Sequence, residues 1–299
     1  MTASDSASKR SLALVVANPA TKGDVSSFVA AIRAAAPPGV DVAVRYTRKG
    51  DDPLSDIGDL IDHADILIAA GGDGTVGTVA HAAVAKKLPL GIIPAGSTNI
   101  VARDLGIPSE PGAAASLIFG RHQQRAIDLG WCNDHWFLHM GGSGVDSKLF
   151  LAADQSLKQR YGWKAYLMPA LRNIFGPPSR YTLTTEKGTI SVVSPLILVA
   201  IGGSILTPQL QIGSHIARDD GWLDVFIFTA KGSAKVAETG LRFLSRQLES
   251  SPYVTRIQCQ TLYLDSEPRM PIEIDGDVVT LTPATFRIEP LALKVIVPV

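Results

Sequence analysis

At 299 residues the chain has room for two domains or one large one, and 46% hydrophobic content supplies a core. Lys plus Arg (28) equals Asp plus Glu (28), so no global basic field draws the chain onto nucleic acid. Two cysteines, Cys132 and Cys259, with no C-x-x-C spacing, exclude a disulfide framework and a cysteine zinc site.

Met1 to Arg10 is polar and small and lacks the apolar stretch of a secretion signal. No run reaches the roughly 18 apolar residues of a membrane span; Pro195 to Leu206 comes nearest and is broken by glycines. The expectation is a soluble, cytoplasmic protein.

Leu12 to Ala17 reads as an apolar strand. It runs into Asn18-Pro19-Ala20-Thr21-Lys22-Gly23, a loop with side-chain acceptors, an amine and a glycine. Val25 to Ala36 is predicted helical, stopped by Pro37-Pro38-Gly39. Val40 to Tyr46 alternates as a strand with Thr47 at its end, and Pro53 to His63 reads as helical.

Ile66 to Ala70 has the length of a buried strand. It breaks into Gly71-Gly72-Asp73-Gly74-Thr75, after which Val76 to Ala85 reads as a helix. Glycines let backbone N–H groups approach phosphate oxygens, and a helix N-terminus adds its positive dipole. Like charges repel, so Asp73 does not meet phosphate itself. It holds Mg²⁺, orders water, or fixes the loop through backbone hydrogen bonds.

Pro89 to Ile93 is another short strand, followed by Pro94-Ala95-Gly96-Ser97-Thr98-Asn99 and a helix through Leu105. Ser97, Thr98 and Asn99 either cap that helix or donate to a nucleotide. Pro111 to Gly120 reads as one more helix. Strands alternating with helices imply a parallel sheet with ligands at the carboxyl ends of its strands. Asn18, Thr47 and Gly71 to Thr75 all fall at such ends.

The texture changes after Arg125. Strands are expected at Ile127 to Gly130, Trp136 to Met140, Tyr181 to Thr185, Thr189 to Val193, Leu196 to Ile201, Val225 to Phe228, Tyr253 to Leu264, and Ile272 to Leu281. Period-two alternation with turn residues between them suggests an antiparallel sandwich. Two helical insertions interrupt it: Phe150 to Phe175, with Lys158, Arg160 and Lys164, and Ser233 to Leu248, with Arg242 and Arg246. The fold class is therefore α/β, an N-terminal domain over residues 1–130 and a β-rich domain over 131–285. The apolar segment 286–299 is a candidate to return to the first domain.

At this point the residues carry a resemblance. G-G-D-G-T at Gly71, N-P-A-T-K-G at Asn18 and P-A-G-S-T-N-I-V-A-R at Pro94 resemble the diacylglycerol kinase catalytic family, which includes bacterial lipid kinases, sphingosine kinases and ceramide kinases. The match continues through I-D-L-G at Ile127, G-S-G-V-D at Gly142, D-G-W-L-D-V at Asp220 and I-D-G-D at Ile274. G-G-D-G-T alone is also similar to soluble NAD kinases and phosphofructokinases, so the later motifs carry the assignment.

The resemblance implies ATP-dependent transfer of the γ-phosphoryl group to a lipid hydroxyl, with the lipid head taken between the domains. It places Asn18, Thr47, Gly71, Gly72, Asp73, Gly74, Thr75, Ser97 and Asn99 among the nucleotide-binding residues. It matches the family's D-G-E to Asp275-Gly276-Asp277, where a carboxylate is the general base. Asp275 is favoured and Asp277 stays open, because two positions apart on an extended segment both side chains share a face. It also implies a structural Mg²⁺ held by the Asp220 carboxylate and the backbone carbonyls of Ala217 and Trp222, with Asp128 in a supporting network. The acceptor lipid would be presented at a membrane surface, the protein would be peripheral there, and a homodimer stays open.

The chain departs from the family at three places. Gly77 and Thr78 stand where the family has Asn and Glu, Ile100 where it has Asp, and Asp277 where it has the closing Glu. A soluble-metabolite kinase of NAD-kinase type, and a nucleotide-binding regulator with weakened catalysis, are the alternative readings.

Overall fold

The computed structural model describes residues 11–19, 21, 24–47, 57–144, 178–205, 207–213 and 215–299. The insertion expected over Phe150 to Phe175 lies outside these residues, as do Ala20, Lys22 and Gly23 of the first loop. The chain divides into two compact units, Met1–Arg125 with Leu293–Val299, and Ala126–Ala292.

In the first unit β1 (Ser11–Ala17), β2 (Val40–Tyr46), β3 (Ile66–Gly71) and β4 (Leu90–Pro94) form a parallel sheet in the order β2-β1-β3-β4. Every residue of β4 and all but the first of β3 are buried. Continuous apolar runs of this kind require helices over both faces. Three helices supply cover: α1 (Val25–Ala35), α2 (Asp73–Lys86) and α4 (Pro111–Phe119), with the short α3 (Ile100–Asp104) between α2 and α4 in the chain. The Asp24 carboxylate caps α1 by accepting from Ser26 N at 3.0 Å, and Glu110 caps α4 through Gly112 N and Ala113 N. The helix expected over Pro53 to His63 is a 3₁₀ turn, Gly58–His63, within the described residues.

Register fixes the strand ends. Ala17 lies opposite both Tyr46 and Ala70, and Gly71 lies opposite Pro94. Backbone bonds carry the ladder one step further, Thr47 N to Ala17 O at 2.9 Å, Asn18 N to Ala70 O at 3.1 Å and Ala95 N to Gly71 O at 2.9 Å. Asn18, Thr47, Gly72 and Ala95 therefore share one edge of the sheet.

The second unit is an antiparallel sandwich. One sheet runs β14-β13-β10-β7-β16-β17, from β14 (Val254–Cys259), β13 (Leu223–Phe228), β10 (Leu196–Ala200), β7 (Met140–Ser143), β16 (Pro271–Ile274) and β17 (Asp277–Leu281). The facing sheet is built on β18 (Ala284–Val297), β15 (Thr261–Glu267), β8 (Ser179–Thr185) and β9 (Gly188–Ser194). β5 (Gln123–Cys132) and β6 (His135–Phe137) extend it as a hairpin, with β5 also paired to β18. Phe137, Tyr181, Val199, Val225, Leu264 and Phe286 fill the interior between the sheets. The outer face of the first sheet carries α5 (Ser233–Leu244), whose Phe243 packs on Leu196, Phe226 and Phe228. β18 begins in this unit, and its last residues, from Leu293, belong to the first, where Val295 pairs with Leu90 of β4.

Two expectations need correction. The single strand expected from Tyr253 to Leu264 is two strands in different sheets, which the chain exchanges at Gln260. The alternation slips by one residue there, the core positions passing from Ile257 and Cys259 to Leu262 and Leu264 across the exposed pair Gln260 and Thr261, a phase break that a single continuous strand does not show. The helix expected to reach Leu248 ends at Leu244. Arg246 then turns the chain at φ +59° and Leu248–Ser250 forms a 3₁₀ turn.

Candidate functional site

The glycine segment is a helix start rather than a free loop. Gly72 is the N-cap of α2, and Asp73, Gly74 and Thr75 form its first turn. The Asp73 carboxylate accepts from Thr98 Oγ1 at 2.7 Å, Ile100 N at 2.7 Å and Val101 N at 3.4 Å. It therefore closes the N-terminus of α3 and ties the two strand-end loops together. Of the three roles open to Asp73 on sequence, this geometry supplies the loop-fixing one.

The glycines have separate reasons. A Cβ on Gly96 would stand 2.6 Å from Gly72 Cα, and one on Gly72 would stand 3.2 Å from Gly96 Cα, so the two loops touch backbone to backbone. A Cβ on Gly71 would overlap the Thr75 side chain. Gly74 differs: it is exposed, and nothing lies within 4 Å of where its Cβ would point. Open space at the first turn of a 14-residue helix is where a phosphate could approach.

The polar side chains divide in the same way. Asn18 Nδ2 donates to Thr75 Oγ1 at 3.4 Å, and Thr75 is buried. Asn99, at φ +48°, accepts from Gly96 N at 2.7 Å and donates to Gly96 O at 2.9 Å, so its amide closes its own loop. Ser97 is exposed beside it, and Thr47 is half-buried at the end of β2.

In the second unit Asp275 and Gly276 form the two-residue turn between β16 and β17, with Ile274 paired to Asp277. Both turn residues have positive φ, +47° and +101°, which D-G tolerates. The expectation that Asp275 and Asp277 share a face of one extended segment is thereby overturned: Asp275 sits in the turn and Asp277 begins β17. Asp277 is exposed there.

Asp275 is clamped. Its Oδ2 accepts from Leu138 N at 2.7 Å, its Oδ1 from His139 N and Met140 N at 3.0 Å each, and its own N–H donates to Met140 O at 2.8 Å. Asp275 is exposed at this turn, with the three amides and the Arg218 charge gathered about its carboxyl. Burial pushes the pKa up to about 6, against the lowering pull of the three amides and of the Arg218 charge.

Sequence reasoning missed the support beneath this clamp. Buried Arg218 donates to Leu138 O at 2.6 Å and, through Nη2, to His139 Nδ1 at 2.9 Å. A guanidinium has no acceptor, so the His139 ring carries its hydrogen on Nε2 and donates it to Ser204 O at 2.6 Å. A Cβ on Gly202 would overlap both side chains. These contacts join residues 65 to 80 positions apart, and no local motif announces them.

Asp128 is buried and fully engaged. Oδ2 accepts from Gly221 N and Oδ1 from Leu291 N, each at 2.8 Å, bracing the Asp219-Asp220-Gly221 turn. Asp220 is exposed and accepts from Trp222 N at 3.1 Å. Burial of its carboxyl raises its pKa, the Trp222 amide lowers it, and the charges of Asp224, Asp128 and Asp219 raise it further. Asp224 is balanced by Arg256 at 2.7 Å.

Among the described residues no three His, Cys, Asp or Glu side chains gather as a metal site. A cation here would rest on the Asp220 carboxylate with the carbonyls of Ala217 and Trp222. All-oxygen donors amid surplus negative charge fit Mg²⁺. No helix among the described residues is long and apolar enough to cross a membrane.

Strand ends that open into a glycine-started helix in one unit, and an antiparallel sandwich in the other, give the chain an α/β-plus-sandwich architecture. Residues 12–132 match the diacylglycerol kinase catalytic domain, and residues 141–297 match the YegS C-terminal NAD kinase beta sandwich-like domain. A "probable lipid kinase YegS-like" of Pseudomonas aeruginosa is 30% identical over 92% of this chain and 90% of its own. The diacylglycerol kinase of Bacillus subtilis is 27% identical over 74% of each. A candidate diacylglycerol kinase from Bacillus anthracis shares the fold with a TM-score of 0.82, at 22% identity over 96% of this chain and 97% of that one. The chain spans 55% of the length of a Synechocystis relative that is 26% identical over 78% of this chain. The chain belongs to the diacylglycerol kinase catalytic family of lipid kinases.

Proposed function

We propose that the chain transfers the γ-phosphoryl group of ATP to the hydroxyl of a diacylglycerol-like or sphingoid lipid, with Asp275 as general base. The observation that carries the reading is the clamped Asp275 carboxylate. Three backbone donors fix its orientation, and a pKa of about 6 leaves it ionised at neutral pH yet basic enough to take a proton. Asp277, exposed at the start of β17, has no such support in this reading.

The chemistry asks little covalent work of the protein. The acceptor oxygen forms a bond to the γ-phosphorus, the bond to the β–γ bridging oxygen breaks, ADP leaves, and the hydroxyl proton passes to Asp275. Positioning and charge neutralisation dominate such a step. The open side of Gly74 at the N-terminus of α2 supports phosphate binding there, with Asn18, Thr47 and Ser97 around the same sheet edge. Mg²⁺ at Asp220, if bound, would brace the turn that Asp128 also holds.

The second matched domain is described as NAD kinase beta sandwich-like, which keeps a dinucleotide acceptor as the second reading. Labelled-ATP transfer with Mg²⁺ across a panel of diacylglycerol, sphingoid base, ceramide, phosphatidylglycerol and NAD separates them. Phosphate appearing in an extracted lipid supports the proposal. Transfer to NAD alone, or ATP binding without turnover, would replace it.

A further inference from the structure

Three successive amides, those of Leu138, His139 and Met140, converge on the Asp275 carboxylate. A regular strand cannot present them so, because consecutive residues point their N–H groups to opposite edges. The chain meets the requirement by bending at Leu138 and His139, the two residues between β6 and β7. Backbone groups at such a bend leave the sheet ladder and need other partners.

Both carbonyls of the bend have them. Buried Arg218 donates to Leu138 O at 2.6 Å, and Ile201 N donates to His139 O at 3.0 Å. Leu138 O and His139 N belong to one peptide group. The guanidinium therefore pulls on the carbonyl of the peptide whose N–H holds Asp275 Oδ1 at 3.0 Å. A charge-assisted bond on one side of a peptide strengthens the bond on the other. The second arm of the fork reaches His139 Nδ1 at 2.9 Å, and that buried ring is anchored in turn on Ser204 O at 2.6 Å.

We propose that Arg218 and His139 are positioning residues for Asp275: His139 orients the guanidinium, and Arg218, through the Leu138–His139 peptide, aims the amides that hold the carboxylate. The inference deepens the reading of Asp275 as general base and rests on it for its bearing on catalysis. Of the ionisable groups on the adjoining elements, Glu273 on β16 and Asp277 on β17 are acids, and His139 is neutral while its Nδ1 accepts from Arg218. Arg218 brings the positive charge, which favours the ionised carboxylate against the effect of burial.

The test pairs two readouts on the full chain. One is titration of the Asp275 carboxyl by carbon-13 NMR, assigned with Asp275→Asn; it needs no substrate. The other is the pH profile of kcat/KM for whichever lipid of the panel above accepts phosphate best. Arg218→Gln keeps a donor for Leu138 O and removes the charge, so the NMR midpoint and the activity limb should both rise by roughly one pH unit or more, with KM for ATP unchanged. Arg218→Lys keeps the charge and loses the fork, so the midpoint should hold while kcat falls roughly tenfold. His139→Gln offers an acceptor to Arg218 and a donor to Ser204 O, and should recover the midpoint and the kcat that His139→Leu loses. A pair that only stabilised the fold would lower the melting temperature in these variants and leave the midpoint in place.

An unmoved midpoint in Arg218→Gln overturns the proposal, as does equal behaviour of His139→Gln and His139→Leu. Should Arg218→Gln melt below the assay temperature, the two His139 variants decide the matter. If the midpoint moves in Arg218→Gln while the activity limb stays, the positioning of the carboxylate stands and the reading of Asp275 as the base falls.

Discussion

The Asp73 carboxylate accepts the Thr98 hydroxyl at 2.7 Å and, through its other oxygen, the N–H of Ile100 at the same distance. One acid in the first turn of α2 thus terminates α3 and fixes the spacing of the two glycine loops. Its neighbour Gly72 completes the junction by touching Gly96. A carboxylate within the proposed phosphate site is here explained by what it holds on its own side of the loop.

This assignment separates two substitutions. Asp73→Ala removes three accepted hydrogen bonds and should cost about 1–3 kcal/mol, with nucleotide affinity falling as the loops part. Asp73→Asn keeps an acceptor for Ile100 N, and its amide can donate to Thr98 Oγ1, so affinity should stay within a few-fold of wild type. Titration calorimetry with ATP and thermal melting read both effects. Equal loss of affinity in the two variants with unchanged stability would instead make Asp73 a metal ligand.

Gly74 and Gly72 should behave oppositely, although the sequence motif treats them alike. Gly74→Ala places its methyl in open space and removes a glycine from a helix, so stability should hold or rise by up to about 1 kcal/mol. ATP affinity should fall, and further in Gly74→Val, because the added carbon occupies the proposed phosphate approach. Gly72→Ala should lower the melting temperature instead, by forcing Gly96 away. Unchanged ATP affinity in both Gly74 variants, measured by calorimetry, would move the nucleotide elsewhere.

How much of this was legible follows the range of each contact. The strand-end loops at Asn18, Gly71 and Pro94 are local patterns, and each appears where residue type and spacing place it; the turn at Asp275-Gly276 is local too, yet reading Ile272 to Leu281 as one extended strand passes over it. The roles of Asp73 and Asn99 were narrowed to a few options, since a capping side chain and a ligand-binding one look alike in sequence. The clamp on Asp275 joins positions about 136 apart, and the Arg218–His139 pair joins positions 79 apart. Single-sequence periodicity carries no signal for such pairs. The exchange of sheets at Gln260 left a local trace, the adjacent polar pair Gln260-Thr261 that shifts the apolar phase, but alternation reports which face a residue takes and not which sheet it joins.

Asp220 offers a test with a defined sign. Its pKa is raised, so without metal its stabilising contribution is present at low pH and is lost as pH rises through that raised value. A bound divalent cation would reverse the preference by favouring the ionised form. Mg²⁺ should therefore raise the wild-type melting temperature at neutral pH. Asp220→Asn should melt at or above wild type without metal and should not respond to Mg²⁺. Equal Mg²⁺ responses in the two proteins would remove Asp220 from the ligands.

The last prediction concerns Asp275. Asparagine is usually a close mimic of aspartate, but here both carboxylate oxygens accept backbone N–H groups. An amide would turn one N–H₂ toward a donor, so Asp275→Asn should cost about 1–3 kcal/mol of stability as well as roughly a hundredfold or more in turnover. The pH dependence separates the two losses. With a folded pKa of about 6 against an ordinary 3.8, the group's contribution to stability is complete below about pH 4 and disappears as pH rises through 6. A general base needs the opposite form, so kcat/KM should climb as pH rises through about 6 and level off above it. The wild type should thus gain activity over the interval in which this group's contribution to stability declines. Asp275→Asn should lose both slopes, while its ATP affinity stays close to wild type. Asp277→Asn should keep the activity limb, because its side chain stands outside the clamp. If the limb near pH 6 survives in Asp275→Asn and vanishes in Asp277→Asn, the base is the residue that opens β17, and the clamped carboxylate serves only to shape the turn.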